Sequence, residues 1–355
     1  TGRLAAEQMT LGDCPRAVFR PDGRRLAVAT RRGVVLFDLP NRVLETTGLV
    51  GEGSAASMAA TPSHSALVVT GRDPDAGTRA YAWRMTDGSL RVAEVRSLGA
   101  AGVGRRAPES TDYAPDGSGY VYSLGAGGHA LFRDDGRAWD AADLQAARFG
   151  PDGRLWILEH DLLKESVPPK WVDRVVWRND AEAKGAGMVL RMLAVGRDAV
   201  FVGRRDGWLF RIDPTTGGAA GWPQLTTPVA GLAVSPDQGR LLIGGEGGEL
   251  RLVDSATGEA TEIPEAHRGA VPAVAFGRHF FVTGSADRRV RLWTPDGRPL
   301  ATLRMQGPVR KVLLSDDERS LLVLVEGERA VRRWRLGDLF REWRALGLGD
   351  DLPPV

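Results

Sequence analysis

The sequence predicts an all-β chain made of tandem four-stranded antiparallel units. Three observations point there. A tight turn flanked by two short apolar runs recurs along the chain. The runs are rich in β-branched residues and partly alternate, as half-buried strands do. Between Ala17 and Leu336 no helical periodicity of useful length interrupts them.

The units follow in order. "AVFRPDGRRLAVATRRGVVLFD" opens at Ala17, and a degraded copy, "MAATPSHSALVVTGRDPDAGTRAYAWR", opens at Met58. "YAPDGSGYVYSLGAGGHALFRDDG" follows from Tyr113, and "ARFGPDGRLWILEH" from Ala147. A second degraded copy, "LAVGRDAVFVGRRDGWLFRIDPTTG", starts at Leu193. The last three start at Leu232, Val274 and Val312. The first turns lie near 22, 63, 116, 152, 198, 237, 277 and 316, a mean spacing of 42 residues. Pro-Asp-Gly suits the first turn, because Pro presets φ and Gly accepts a positive φ. The stretch 161–173 reads as an insertion in the fourth unit.

A four-stranded sheet of this size cannot cover both its faces alone. Sheets stacked radially hide each face against the next, and a period of about 40–45 residues is that of a propeller blade. The expectation is an eight-bladed β-propeller, with seven blades as the alternative. No fourth strand follows 332–336, so the N-terminal stretch Ala6–Leu11 is expected to close the ring. Residues 1–337 would form the propeller and 338–355 a C-terminal helix and tail. In that helix Asp338 reads as N-cap, Gly347 as stop, and Leu339, Trp343 and Leu346 as one apolar stripe.

Composition narrows the function. The chain has 355 residues, 43% hydrophobic and 26% charged, with a net charge of +2. That balance is far from that of a nucleic-acid binder, and no apolar run is long enough for a membrane span. The single cysteine, Cys14, excludes an internal disulfide and any multi-cysteine zinc site. The expectation is a monomeric, cytoplasmic protein. The absence of an initial Met suggests a piece of a longer chain.

One unit carries a specific pattern: His267-Arg268-Gly269-Ala270-Val271, Gly284-Ser285-Ala286-Asp287, then Val290-Arg291-Leu292-Trp293. It resembles a WD repeat, and the resemblance extends over about 6–336 in weaker form. Asp206, Trp83, Trp177 and Trp334 are fragments of it, the tryptophans placed on third strands. The terminal Trp-Asp pair is nowhere intact, with Phe37-Asp38 and Val253-Asp254 in its place. The resemblance implies a structural tetrad of His267, Ser285 (or Thr283), Asp287 and Trp293. It also implies a bacterial interaction module of the kind that often follows a Ser/Thr kinase or another effector domain.

Serine, histidine and aspartate together also raise the question of a hydrolase triad. No G-x-S-x-G elbow surrounds Ser285, and other units carry Gly245 or Leu324 at its position. A clamp is the expectation, with no catalytic residue, metal or cofactor. "GVGRRA" (102–107) has dinucleotide-fingerprint spacing, but Pro108 follows where a helix is required. His64, His129, His160, His267 and His279 show no ligand spacing. "GRDPDAG" and "DDG" are too short for calcium loops.

Arginines recur at the turn between second and third strands: Arg31, Arg32, Arg72, Arg204, Arg205, Arg288 and Arg329. In a propeller these turns share one face, and would form a basic ring for an acidic or phosphorylated protein or peptide partner. The alternative is a propeller enzyme, a quinoprotein-like dehydrogenase or a hydrolase, or a small-ligand sensor. The expected channel positions, near Arg16, Ala146, Gly231, Ala273 and Lys311, are poor in catalytic groups.

Overall fold

A computed structural model describes residues 17–19, 25–30, 33–38, 44–48, 54–73, 77–86, 89–97, 110–123, 129–133, 144–159, 161–167, 172–179 and 190–345. Side chains within β1–β3 and β7–β8 below are not described. Among the described residues the chain is all-β apart from one C-terminal helix.

Eight antiparallel sheets follow the chain. Strands β1 (Ala17–Phe19), β2 (Arg25–Thr30) and β3 (Gly33–Asp38) form the first, and β4 (Leu44–Gly48) leaves it for another. The second holds β5 (Ser54–Ala60), β6 (Ala66–Asp73), β7 (Gly77–Thr86) and β8 (Ser89–Ser97). The third holds β9 (Ser110–Tyr113), β10 (Gly119–Ser123) and β11 (His129–Arg133). The fourth holds β12 (Leu144–Phe149), β13 (Leu155–Glu159), β14 (Leu162–Val167) and β15 (Val172–Arg178). The fifth holds β16 (Leu190–Val195), β17 (Val200–Arg204), β18 (Trp208–Ile212) and β19 (Ala219–Pro223). The sixth holds β20 (Val229–Val234), β21 (Arg240–Gly245), β22 (Leu250–Asp254) and β23 (Ala260–Glu262). The seventh holds β24 (Ala273–Phe276), β25 (Phe281–Gly284), β26 (Arg289–Trp293) and β27 (Pro299–Arg304). The last holds β28 (Val309–Leu314), β29 (Ser320–Val325) and β30 (Ala330–Arg335), and β4 completes it beside β30.

The first strands touch in the order β5, β9, β12, β16, β20, β24 and β28, and β28 touches β5 again. The sheet β1–β3 instead meets the outer strand β27 through β1. Second strands are buried on both faces, because their side chains alternate between two junctions. On β29, Leu321, Val323 and Val325 pack toward the seventh sheet, while Leu322 and Leu324 pack toward the second. On β21, Leu241 and Ile243 face the fifth sheet and Leu242 faces the seventh. Each such side chain contributes about 1.5–3 kcal/mol on burial, which is why these strands read as continuous apolar runs. A glycine lies at or just before the last residue of the second strand in three successive sheets: Gly203, Gly244 and Gly284. A Cβ there would lie 2.7 Å, 3.0 Å and 2.4 Å from a Cγ1 of Val229, Val271 and Val309, which lead into the next sheet.

Several expectations are corrected. Ala6–Leu11 lies outside the described residues, and the strand paired with β30 is β4, with Leu44 opposite Trp334. Within the presumed insertion 161–173, Leu162–Val167 form β14 and Val172 and Asp173 open β15, so Trp177 sits on a fourth strand. Helix α1 (Leu336–Ala345) starts earlier than expected, placing Asp338 inside its first turn. Its leading amide, Leu336 N–H, donates to Arg319 O at 2.7 Å. Leu336, Leu339, Phe340 and Trp343 are buried in the core of the last two sheets, so the helix shares that core. Leu346 and Gly347 lie outside the described residues.

Candidate functional site

The loop before β24, the strand β25, the turn after it and the strand β26 bring four side chains into one chain of hydrogen bonds. Trp293 Nε1–H donates to Thr283 Oγ1 at 2.8 Å. Thr283 Oγ1 lies 2.7 Å from His267 Nε2, and His267 Nδ1 lies 3.0 Å from Asp287 Oδ2. The hydroxyl oxygen accepts the indole N–H, and its own O–H donates to Nε2. Nδ1–H then donates to the carboxylate, so the imidazole is neutral. Burial lowers the His267 pKa and outweighs the opposing pull of Asp287. Burial pushes Asp287 up, but the His267 hydrogen bond and backbone amides hold it below the usual carboxylate range. Those amides are Arg268 N–H on Oδ2 and Arg289 N–H on Oδ1.

Ser285 stands outside this chain. It is fully buried, donates to Gly269 O at 2.8 Å and accepts from Asp287 N–H at 3.1 Å. The tetrad implied by the resemblance therefore runs through Thr283, with Ser285 bracing the loop and turn from the other side. Both imidazole nitrogens are occupied, and neither hydroxyl is open to solvent. The sixth sheet ties the matching loop to its turn differently: Thr227 donates to Glu249 at 2.6 Å and Thr226 at 3.2 Å.

The arginines of the second-to-third turns divide. Arg31 and Arg32 lie outside the described residues. Arg72 is the last residue but one of β6, opposite Ser54 and Thr78. Arg204 is 5% exposed, ion-paired with Asp206 and stacked near Trp208 and Phe210, so it faces inward and leaves the proposed ring. Arg205, Arg288 and Arg329 are exposed, and among the described residues none makes an ion pair. Arg288 holds φ at 65°, where the matching turns have Gly207 and Gly248. Neighbouring carboxylates are engaged elsewhere: Glu326 by Arg310 at 2.5 Å, Glu328 by Arg332 at 2.6 Å, and Glu249 by the two threonines. Backbone bonds join these turns to the next sheet's loop, from Val271 N–H to Gly245 O and from Val309 N–H to Ser285 O.

A second polar cluster lies on first strands, and sequence reasoning missed two of its members. Lys311 of β28 donates from Nζ to Thr111 O of β9 at 2.8 Å, reaching past the intervening β5. Asp112 of β9 accepts from Phe149 N–H of β12 at 2.7 Å. Arg148 of β12 donates to its neighbour's carbonyl, Ala147 O, at 2.9 Å. Thr70 and Thr111 hydroxyls meet at 2.7 Å beside them. Burial, helped by Arg148, lowers Lys311 to about 7, against Asp112. Burial raises Asp112, against the two cations. All three side chains nevertheless keep partial exposure. Enclosure by protein with a residual opening fits both facts. Ala146 and Ala273 are buried among apolar neighbours, and Arg16 lies outside the described residues.

Among the described residues no three His, Cys, Asp or Glu side chains could hold a metal ion together, and no helix is long and apolar enough to cross a membrane. No protein-family model matches the chain, and no curated protein matches it.

Proposed function

We propose that the chain is a WD-repeat-like β-propeller of seven blades that serves as a non-catalytic platform for an acidic or phosphorylated protein or peptide, as part of a signalling or regulatory protein. The cycle of first-strand contacts supports the ring and its blade number, with β4 as the closing strand and β1–β3 beside it. The hydrogen-bond chain of His267 supports the non-catalytic reading, since its groups are committed to holding loop to turn.

The observation that carries the partner reading is the unbalanced charge on the second-to-third turns. Arg205, Arg288 and Arg329 are exposed without ion pairs among the described residues, while Glu249, Glu326 and Glu328 already have partners. Planar guanidinium groups in that state favour carboxylate and phosphate groups, which they bind through two parallel hydrogen bonds. An array of acidic and phosphorylated peptides tests this. The wild type is expected to retain a subset of them, and the variant R205E/R288E/R329E to lose it. Equal retention by both proteins overturns the reading.

A further inference from the structure

We propose that Lys311 and Arg148 form an oxyanion-binding site inside the ring, for a phosphate or carboxylate group of a small ligand. The inference rests on the ring reading above but not on the turn arginines.

Lys311, Asp112 and Arg148 come from three first strands, and one of the contacts skips a strand. The Lys311 ammonium passes β5 to reach Thr111 O on β9. Such a reach requires the side chain to run along the inner side of the cycle rather than between sheets. Strand β5 is rich in small residues, Ser54, Ala55, Ala56 and Ser57 among them. Arg148 comes from the next strand after β9 and adjoins Phe149, whose N–H donates to Asp112 at 2.7 Å, beside the Thr111 carbonyl that Lys311 holds; its charge acts on both Lys311 and Asp112.

The group is unbalanced. Below about pH 7, where Lys311 keeps its proton, two cations face one carboxylate, and among the described residues no carboxylate lies within ion-pair distance of either cation. Each cation donates to a single protein carbonyl, although lysine and arginine carry several donors each. Cationic donors held in partial enclosure and short of acceptors are what an oxyanion needs, because charge-assisted hydrogen bonds strengthen as water is excluded. Asp112 is engaged by the Phe149 amide and sets the direction of selectivity by repelling the same anion.

The test uses the whole chain with inorganic phosphate and acetate as separate probes, and chloride at matched ionic strength as control. Phosphate, acetate or both are expected to bind saturably by calorimetry, and the stronger probe tells which oxyanion the site takes. Lys311→Met and Arg148→Met are each expected to weaken that binding about tenfold or more. Asp112→Asn keeps an acceptor for Phe149 N–H but removes the repelling charge, so it is expected to tighten binding several-fold. Absence of saturable binding by the wild type overturns the proposal. So does binding that both methionine variants retain. Should either methionine variant fail to fold, as near-ultraviolet circular dichroism would report, Asp112→Asn decides: binding equal to or weaker than wild type overturns the site. Phosphate binding that is lost in R205E/R288E/R329E but kept in both methionine variants would put the anion on the turn arginines and overturn the inner site, which separates failure here from failure of the peptide-binding face.

Discussion

Thr283 Oγ1 sits between Trp293 Nε1 and His267 Nε2, at 2.8 Å and 2.7 Å, and links the third strand to the imidazole in the loop before β24. Replacing it by valine keeps the shape and leaves a buried indole N–H and a buried imidazole nitrogen without partners. Unmet buried polar groups cost about 1–3 kcal/mol each. Thr283→Val is therefore expected to lose about 2–4 kcal/mol in urea unfolding. Ser285→Ala is expected to lose only about 1 kcal/mol. The reverse order would show that serine, not threonine, carries the chain.

His64 makes folding pH-dependent. It is buried in the turn after β5, with Nδ1 unpartnered, and its pKa is lowered from 6.5 to about 4. Burial is the main cause, Arg333 adds to it and Asp317 opposes it. The unfolded chain takes up a proton near 6.5 that the folded chain refuses until about 4. Stability from this group is complete above 6.5 and is lost as pH falls toward 4, by about 3 kcal/mol in all. Since φ at His64 is 57°, asparagine is the fitting replacement. His64→Asn is expected to flatten this part of the pH profile, and parallel profiles of the two proteins would disprove the assignment.

Arg288 holds a backbone conformation that suits glycine. A non-glycine residue there costs about 1–2 kcal/mol. Arg288→Gly is expected to raise stability by about 0.5–1 kcal/mol, after the entropy glycine adds to the unfolded chain. The same variant is expected to weaken acidic-peptide retention. A loss of stability would remove the argument that the arginine is kept against backbone strain.

Leu44 tests the closing strand. It is 2% exposed and shares a core with Trp334 and Trp343. Leu44→Ala is expected to cost about 2–4 kcal/mol, read from the urea midpoint. A cost under about 0.5 kcal/mol, typical of surface sites, would mean that β4 does not seal the last sheet.

The repeat and its turns were legible because they rest on local chemistry. Pro-Asp-Gly marks first turns, and Gly117 and Gly153 hold φ at 77° and 78° there. The choice between Thr283 and Ser285 was not legible. Residues two apart point to the same side of a strand, so spacing cannot separate them. Register does, since Phe281 pairs with Trp293 and places the indole diagonal to Thr283. The hairpin β14–β15 read as an insertion because it carries a charge inward, and the arginines that match it lie nine and eleven residues away along the chain. Glu165 is buried between Arg154 and Arg174, at 2.5 Å and 2.6 Å. Arg204 read as a surface residue because its partner, Asp206, could equally have turned outward. Strand β4 carries "LETTG", which has no pattern strong enough to announce pairing with residues near the other end of the chain.

That pairing has a consequence during synthesis. Leu44–Gly48 leaves the ribosome while Ala330–Arg335 is still untranslated, so the strand waits without its mate. Open strand edges invite foreign pairing, and long-range pairing delays completion. A prematurely terminated product lacking β30 keeps the latch undone and its neighbours uncovered, a form that chaperones and proteases recognise. The last sheet therefore gains its fourth strand only once β30 has been made.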